Sequence, residues 1–248
     1  PKQYLRSLGI QKHVHVDTFQ CWDVLDANVE HLRFSPYLLK HWKSATNFIQ
    51  VSKNEHPAVA LPWSDAVAFR GIVDHLDDAT VLHLGNSSVA RYFNYFPKRL
   101  ALYGNRGVAG IDGSLSTAVG AALADPMRKH TVVLGDQSFL YDHNALYAQE
   151  LPQNLTICVL NNGIGGIFDW LPGTATTGAE ARKIFANAQH VDLESLVKAF
   201  NVAHVCVENE QELATALASV NGLTLIEFKT EQSMNLSALK IIQEHGKA

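Results

Sequence analysis

From Trp63 onward the sequence alternates short apolar runs with stretches of helical periodicity, and this alternation narrows the possible folds more than any other feature. The runs TVLHL (80 to 84), LALY (100 to 103), TVVLG (131 to 135), LTICVL (155 to 160), AHVCV (203 to 207) and LTLIEF (223 to 228) are rich in Val, Ile and Leu and lack regular polar alternation. Strands of this kind need cover on both faces. Helices predicted over 64 to 76, 87 to 96, 114 to 124, 144 to 151, 193 to 200 and 211 to 220, with a further one at the end, supply that cover. The order strand, helix, strand implies an α/β fold built on a doubly wound parallel sheet. Ligands of such sheets sit beyond the carboxyl ends of the strands. The segments to read for chemistry are therefore 85 to 88, 104 to 114, 135 to 144, 161 to 168 and 229 to 233.

Residues 1 to 62 read differently. Tyr4, Leu5 and Leu8 fit one helix face, HVHVD (13 to 17) fits a short strand, and the polar, proline-bearing SKNEHPAVALP (52 to 62) fits a linker, which we place over 46 to 62. The opening on Pro1 suggests a piece of a longer chain. With 47% apolar and 18% charged residues the chain has the material for a full core. Twenty Lys and Arg against twenty-four Asp and Glu, with no basic run, argue against nucleic acid as a partner. No apolar stretch reaches the roughly 20 residues that span a bilayer. Three widely spaced cysteines, Cys21, Cys158 and Cys206, read as free thiols of a reducing compartment, so a cytoplasmic protein is expected. His13, His15 and Cys21 form the only close group of zinc-ligand types, and no fourth ligand stands at a zinc-site spacing.

The chemistry concentrates at two predicted strand ends. TVVLG ends in Gly135-Asp136, and the following strand ends in Asn161-Asn162 before a glycine-rich loop. A carboxylate and a carboxamide oxygen on neighbouring strand tips are hard ligands, suited to an octahedral Mg²⁺ that also takes water and phosphate oxygens. The glycines at 163, 165 and 166 let the backbone approach such an ion and its ligand closely. Each dipeptide alone is common, and an Asn at a strand end is often only a turn residue. Their pairing on these elements carries the signal.

GDQSFLYDHNALYAQELPQNLTICVLNN (135 to 162) resembles the GD…NN signature of thiamine diphosphate enzymes, which holds the cofactor's diphosphate through Mg²⁺. GNSSVAR (85 to 91), NRGVAGIDGSLSTAVG (105 to 120), GDQSFLYDHNAL (135 to 146) and NNGIGGIFDWLP (161 to 172) together are similar to the menaquinone-pathway synthases within that family, over Trp63 to the C-terminus. Residues 1 to 45 resemble the tail of that family's central domain, and 63 to 248 its pyrophosphate- and Mg-binding domain. The resemblance implies Mg²⁺ ligation by Asp136, Asn162 and the backbone carbonyl of Ile164. It implies cofactor contacts from Ser87, Gly135, Gln137, Ser138, Gly165 and Ile167, and makes Ile111 the apolar wedge that bends thiamine diphosphate. Gln137 departs from the usual GDG, but only a backbone amide is needed there. Ser138 stands either beside the phosphate or as a plain helix cap. Ile111 outside this motif would read as ordinary core.

The implied substrates are isochorismate and 2-oxoglutarate. The implied reaction decarboxylates 2-oxoglutarate and adds the resulting succinyl-semialdehyde carbanion to isochorismate. Arg91 and Arg106 match family arginines fit to grip carboxylates; Asn86, Ser87 and Phe168 would line the substrate side. In the family, the carboxylate that acts on the aminopyrimidine lies in an N-terminal domain that these residues lack. They are thus expected to hold half a site and to be inactive alone, the full-length enzyme being a homodimer or homotetramer. Within the same family, another thiamine diphosphate-dependent 2-oxoacid decarboxylase or carboligase is the alternative, and two readings of other classes stand beside it. Gly104, Gly107 and Gly110 between a strand and a helix admit a nicotinamide-dependent oxidoreductase, although the spacing is not G-x-G-x-x-G. A non-catalytic module keeping only the fold is the other, and the retention of Asp136 and Asn162 argues against it.

Overall fold

A computed structural model describes residues 60–245 of the 248-residue chain. The chain divides into two units, Pro1–Asn54 and Glu55–Ala248, and the description concerns the second. The expected helix near residue 4, the strand over 13 to 17, the central-domain remnant, most of the linker and the His13, His15 and Cys21 group lie outside the described residues.

Six strands form one sheet: β1 (Val81–Leu84), β2 (Ala101–Gly104), β3 (His130–Gly135), β4 (Leu155–Asn161), β5 (Ala203–Val207) and β6 (Thr224–Lys229). Their order is β2-β1-β3-β4-β6-β5, and every neighbouring pair is parallel. The helices are α1 (Asp65–His75), α2 (Ser88–Tyr95), α3 (Ser114–Ala124), α4 (Asp136–Asp142), a short α5 (Pro172–Ala175), α6 (Ala179–Ala186), α7 (Leu193–Lys198), α8 (Glu210–Ala218) and α9 (Gln232–His245). This is the doubly wound α/β sheet that the sequence implies.

Two apolar cores sandwich the sheet because successive strand side chains point to opposite faces. Leu82, Leu84, Val133, Cys158, Leu160, Ile226 and Phe228 pack with α1, α2, α8 and α9. Val132, Leu134, Ile157, Val159 and Leu225 pack with α3, α4 and α7. Burial pushes the Cys158 thiol up to about 12, as suits an inert core residue. Local sequence starts several helices: Ser64 accepts the Val67 N–H at 3.4 Å, Asp192 that of Ser195 at 3.3 Å, and Asn209 that of Glu212 at 3.1 Å.

The predicted strands and most helices fall within two residues of the observed ones, with one clear correction. The helix expected over 144 to 151 is absent. Instead α4 begins at Asp136, directly after β3, and a 3₁₀ turn covers His143–Tyr147. Phe139 and Leu146 anchor this continuous piece in the core, while the buried carboxylate of Asp142 accepts the Ser116 N–H at 2.7 Å and so ties it to α3. The stretch read as loop over 161 to 177 also contains a 3₁₀ turn at Gly166–Asp169 and α5, and α6 follows unforeseen.

Candidate active site

The strand order reverses direction between β1 and β3, since β2 lies to one side of β1 and all later strands to the other. At such a switch point the loops leaving neighbouring strands diverge to opposite faces and open a crevice. A cavity of about 440 Å³ occupies it, lined by residues after β1 (Asn86, Ser87), after β3 (Gly135 to Ser138) and after β4 (Asn162, Ile164 to Phe168). The sheet thus gathers residues that stand far apart in the chain.

No loop separates β3 from α4. Gly135 is extended (φ −79°, ψ 159°) and Asp136 is already helical, which fixes the carboxylate at the strand tip. Asp136 is 2% exposed, and burial pushes its carboxyl up to about 6, against opposing hydrogen bonds from Gln189 and from the backbone N–H groups of Gln137 and Gly163. Gln189 Nε2 donates to Asp136 Oδ2 at 2.7 Å. Asn162 Oδ1 accepts the Ile164 N–H at 3.1 Å, a tight turn made possible by Gly163 at φ 71°. The Asn162 amide donates to Asp65 Oδ2 at 2.9 Å.

Asp65 is a site residue that sequence reasoning missed. It lines the cavity from the first turn of α1, buried, and accepts the Thr230 hydroxyl at 2.5 Å. Burial raises its carboxyl above the usual range. In the sequence it looks like an ordinary acidic residue favouring a helix N-terminus, and nothing local marks it further. Ile184 and Phe185 of α6 also line the cavity, with the Phe185 ring 5.8 Å from that of Phe168. The unassigned helix hid them.

The remaining predicted residues fall into two groups. Ile111, Ile164, Ile167 and Phe168 line the cavity and belong to neither core, so the ordinary packing role for Ile111 does not hold. Ser138 neither caps a helix nor leaves its hydroxyl free: its Oγ donates to the Ile111 carbonyl at 2.6 Å, tying α4 to that loop. Ser87 lines the cavity with a backbone (φ 69°, ψ −130°) that side-chain-bearing residues rarely adopt. Buried Asn86 donates to the carbonyls of Asn105 (2.7 Å) and Gly110 and accepts from Arg106 at 2.5 Å, tethering the 104 to 113 loop. Arg106 thus reaches the rim but does not line the cavity, and Arg91 is exposed on α2 outside it.

Among the described residues, the cavity lining contains two buried carboxyls and no Lys, Arg or His. Two buried acids without a cationic partner leave negative charge uncompensated, a condition that a bound cation relieves. A carboxylate, a carboxamide oxygen and a backbone carbonyl are hard donors of the kind Mg²⁺ takes. The residues present therefore fit a small divalent cation. Among the described residues no group of three His, Cys, Asp or Glu side chains offers a different metal centre.

A parallel sheet with an acidic, glycine-lined crevice at its switch point defines a ligand-binding α/β domain. Residues 83–228 match the family described as thiamine pyrophosphate enzyme, C-terminal TPP binding domain, and the chain belongs to this family. More particularly, it is 33% identical over 234 residues to the 2-succinyl-5-enolpyruvyl-6-hydroxy-3-cyclohexene-1-carboxylate synthase of Flavobacterium psychrophilum, covering 87% of this chain and 42% of that protein. It is 38% identical over 165 residues to the synthase of the same name from Christiangramia forsetii (65% and 28% covered). Against that from Bacteroides fragilis it is 36% identical over 209 residues (76% and 36%). The chain therefore spans less than half the length of these relatives. An X-ray structure from Mycobacterium smegmatis assigned to the thiamin diphosphate-dependent enzymes shares the fold, with TM-score 0.53 and 23% identity over 68% of this chain and 32% of that one. The glycine spacing that admits a nicotinamide enzyme finds no support in these matches.

Proposed function

We propose that the whole protein is a thiamine diphosphate- and Mg²⁺-dependent carboligase of menaquinone biosynthesis, which decarboxylates 2-oxoglutarate and joins the product to isochorismate. The observation that carries the reading is the pair of buried carboxyls, Asp65 and Asp136, in a switch-point cavity with no cationic side chain among the described residues that line it. The similarity to synthases of that name supports the substrate assignment. When bound, thiamine diphosphate supplies an electron sink for decarboxylation and carbon–carbon bond formation.

In this reading Asp136, Asn162 and the Ile164 carbonyl hold Mg²⁺ against the diphosphate. Gly135, Gln137, Ser138 and Gly165 present backbone close to the cofactor, where a side chain at Gly165 would meet the Ala186 carbonyl at 3.0 Å. Ile111 and Ile167 shape the apolar wall that dictates how a ligand bends, and with Phe168 they keep water from the reacting centre. Asn86 and Ser87 position the substrate side. Arg106, hydrogen-bonded to Asn86 at the rim, and Arg91, exposed on α2 outside the cavity, grip substrate carboxylates. A carboxylate outside residues 63 to 248 completes the site by acting on the aminopyrimidine, so this part alone is inactive. Residues 1 to 45 belong to a central domain and 46 to 62 to a linker. The whole protein works as a cytoplasmic homodimer or homotetramer.

The test is calorimetric titration of thiamine diphosphate into the whole protein, with and without Mg²⁺. Asp136→Ala is expected to remove Mg²⁺-dependent binding while leaving the far-UV circular dichroism unchanged. Equal affinity in the variant would overturn the metal assignment.

A further inference from the structure

Gln189 lies 53 residues from Asp136 in sequence, yet its amide bonds the one carboxylate placed at the end of β3. Its orientation is fixed from several sides. Gln189 Oε1 accepts the Val191 N–H at 2.8 Å, which leaves Nε2 as the donor facing Asp136, and the Gln189 N–H binds the Gly163 carbonyl at 2.9 Å. Nε2 also donates to Asn161 Oδ1 at 3.1 Å. Asn161 cannot turn round, because its own amide donates to Glu227 Oε1 at 2.6 Å and its Oδ1 takes the Gly163 N–H at 3.2 Å. Glu227 is buried on β6 and is held in turn by His204 at 2.8 Å on β5. A network of hydrogen bonds therefore extends from the edge of the sheet to Asp136, with His204 and Asn161 both donating to Glu227 and the Gln189 amide donating to both Asn161 and Asp136. It ends with an N–H pointed at Oδ2.

We propose that Gln189 is a positioning residue that selects the cation: by holding Oδ2 of Asp136 it disfavours that oxygen as a second ligand from the same carboxylate, so the site favours small, octahedral Mg²⁺ over larger Ca²⁺. The inference rests on Asp136 being a metal ligand. The chemical reason is coordination number. Ca²⁺ takes six to eight oxygens and readily accepts both oxygens of one carboxylate, whereas Mg²⁺ keeps to six and to single-oxygen contacts. A carboxylate whose second oxygen is held by a hydrogen bond satisfies the latter more readily than the former. Partners of this kind behind a ligand commonly change metal affinity about 10- to 100-fold when removed.

The experiment titrates Mg²⁺, and separately Ca²⁺, into the whole protein at saturating thiamine diphosphate, following cofactor binding by intrinsic fluorescence. Gln189→Ala frees Oδ2; Gln189→Leu does the same at nearly constant volume and replaces the Ala variant should that fail to fold. The half-saturating Mg²⁺ concentration is expected to rise about 10- to 100-fold, with a smaller rise or none for Ca²⁺, so that the preference for Mg²⁺ falls by about tenfold or more. Equal shifts for the two ions would mean that Gln189 only supports the loop, and no shift would mean that it does not act on Asp136; either overturns the inference. Asp136→Ala in the same titration separates the two levels. If cation dependence survives there, the metal reading itself fails, whereas loss there with equal shifts at Gln189 removes only the selectivity role.

Discussion

Replacing His83 with Gln is expected to stabilise the protein in mild acid and to change little at neutral pH. His83 on β1 and His130 on β3 are both nearly buried, with His83 Nε2 3.0 Å from His130 Nδ1 and the rings stacked at 5.3 Å. The Tyr103 ring lies 5.8 Å from the other side of His83. His130 turns its Nε2 toward the Asp125 carboxylate, 4.0 Å away, which favours the proton there and makes Nδ1 the acceptor of the His83 Nε2–H. Burial, and then the neighbouring His130, bring His83 down to about 4 from 6.5. A histidine lowered in the folded state contributes stability that is complete above pH 6.5 and is lost as pH falls toward 4. At pH 5 the deficit is about 1.5 pH units, or roughly 2 kcal/mol. Gln keeps an amide donor for His130 and does not titrate. The variant should match the parent within about 1 kcal/mol at pH 7.5 and exceed it by about 2 kcal/mol at pH 5. For a chain of this size that is roughly 4 to 8 °C in Tm. Comparing the two proteins at each pH cancels the opposite contribution of Asp65 and Asp136, whose raised carboxyls favour the folded state in acid. Thermal melts at both values read the difference. A gap between variant and parent that does not change with pH would refute the reasoning, because protonation of His83 in the unfolded chain would then carry no penalty for the folded one.

Three further outcomes follow from the site. Ser87→Gly relieves a backbone of φ 69° and should raise Tm by a few degrees, for about 1 kcal/mol, while raising the substrate KM, since the hydroxyl is lost; melts and steady-state kinetics on the whole protein check both. Asp142→Ala removes the acceptor of the Ser116 N–H and hydroxyl and should cost about 2 kcal/mol in urea unfolding, because hydrogen bonds to a buried charged group are the strong ones. Arg106→Ala and Arg91→Ala should each lower kcat/KM for the carboxylate substrates about tenfold or more with cofactor affinity nearly unchanged, and loss of cofactor with normal substrate kinetics would show the two arginines misplaced.

The strands were legible because each one carries its own burial requirement. LTICVL and TVVLG are apolar on both faces whatever lies beside them, and their ends at Gly135-Asp136 and Asn161-Asn162 mark the loops where ligands gather. Helix boundaries in the middle of the chain were less so. The apolar residues of 139 to 151 fit more than one helical phase, and contacts with α3 and the sheet, including the Asp142–Ser116 bond, decide that the helix begins at Asp136. α6 has a good helical composition, but its two large apolar residues, Ile184 and Phe185, face the cavity instead of a core, so the usual amphipathic stripe has no packed partner to announce it.

By itself, then, the sequence determined the doubly wound sheet, the family, and the strand-tip residues Asp136 and Asn162, because local apolar patterns and short motifs specify burial and turns without reference to distant parts. Only the tertiary structure decided which side chains stand behind them. Asp65 meets Asn162 across 97 residues, and Gln189 meets Asp136 across 53. It likewise placed Arg91 outside the cavity and engaged the Ser138 hydroxyl with Ile111. Such pairings depend on strand order, which brings the ends of β1, β3 and β4 together. They depend also on the need of every buried polar atom for a partner, and that partner is chosen by proximity in space, which no local pattern records.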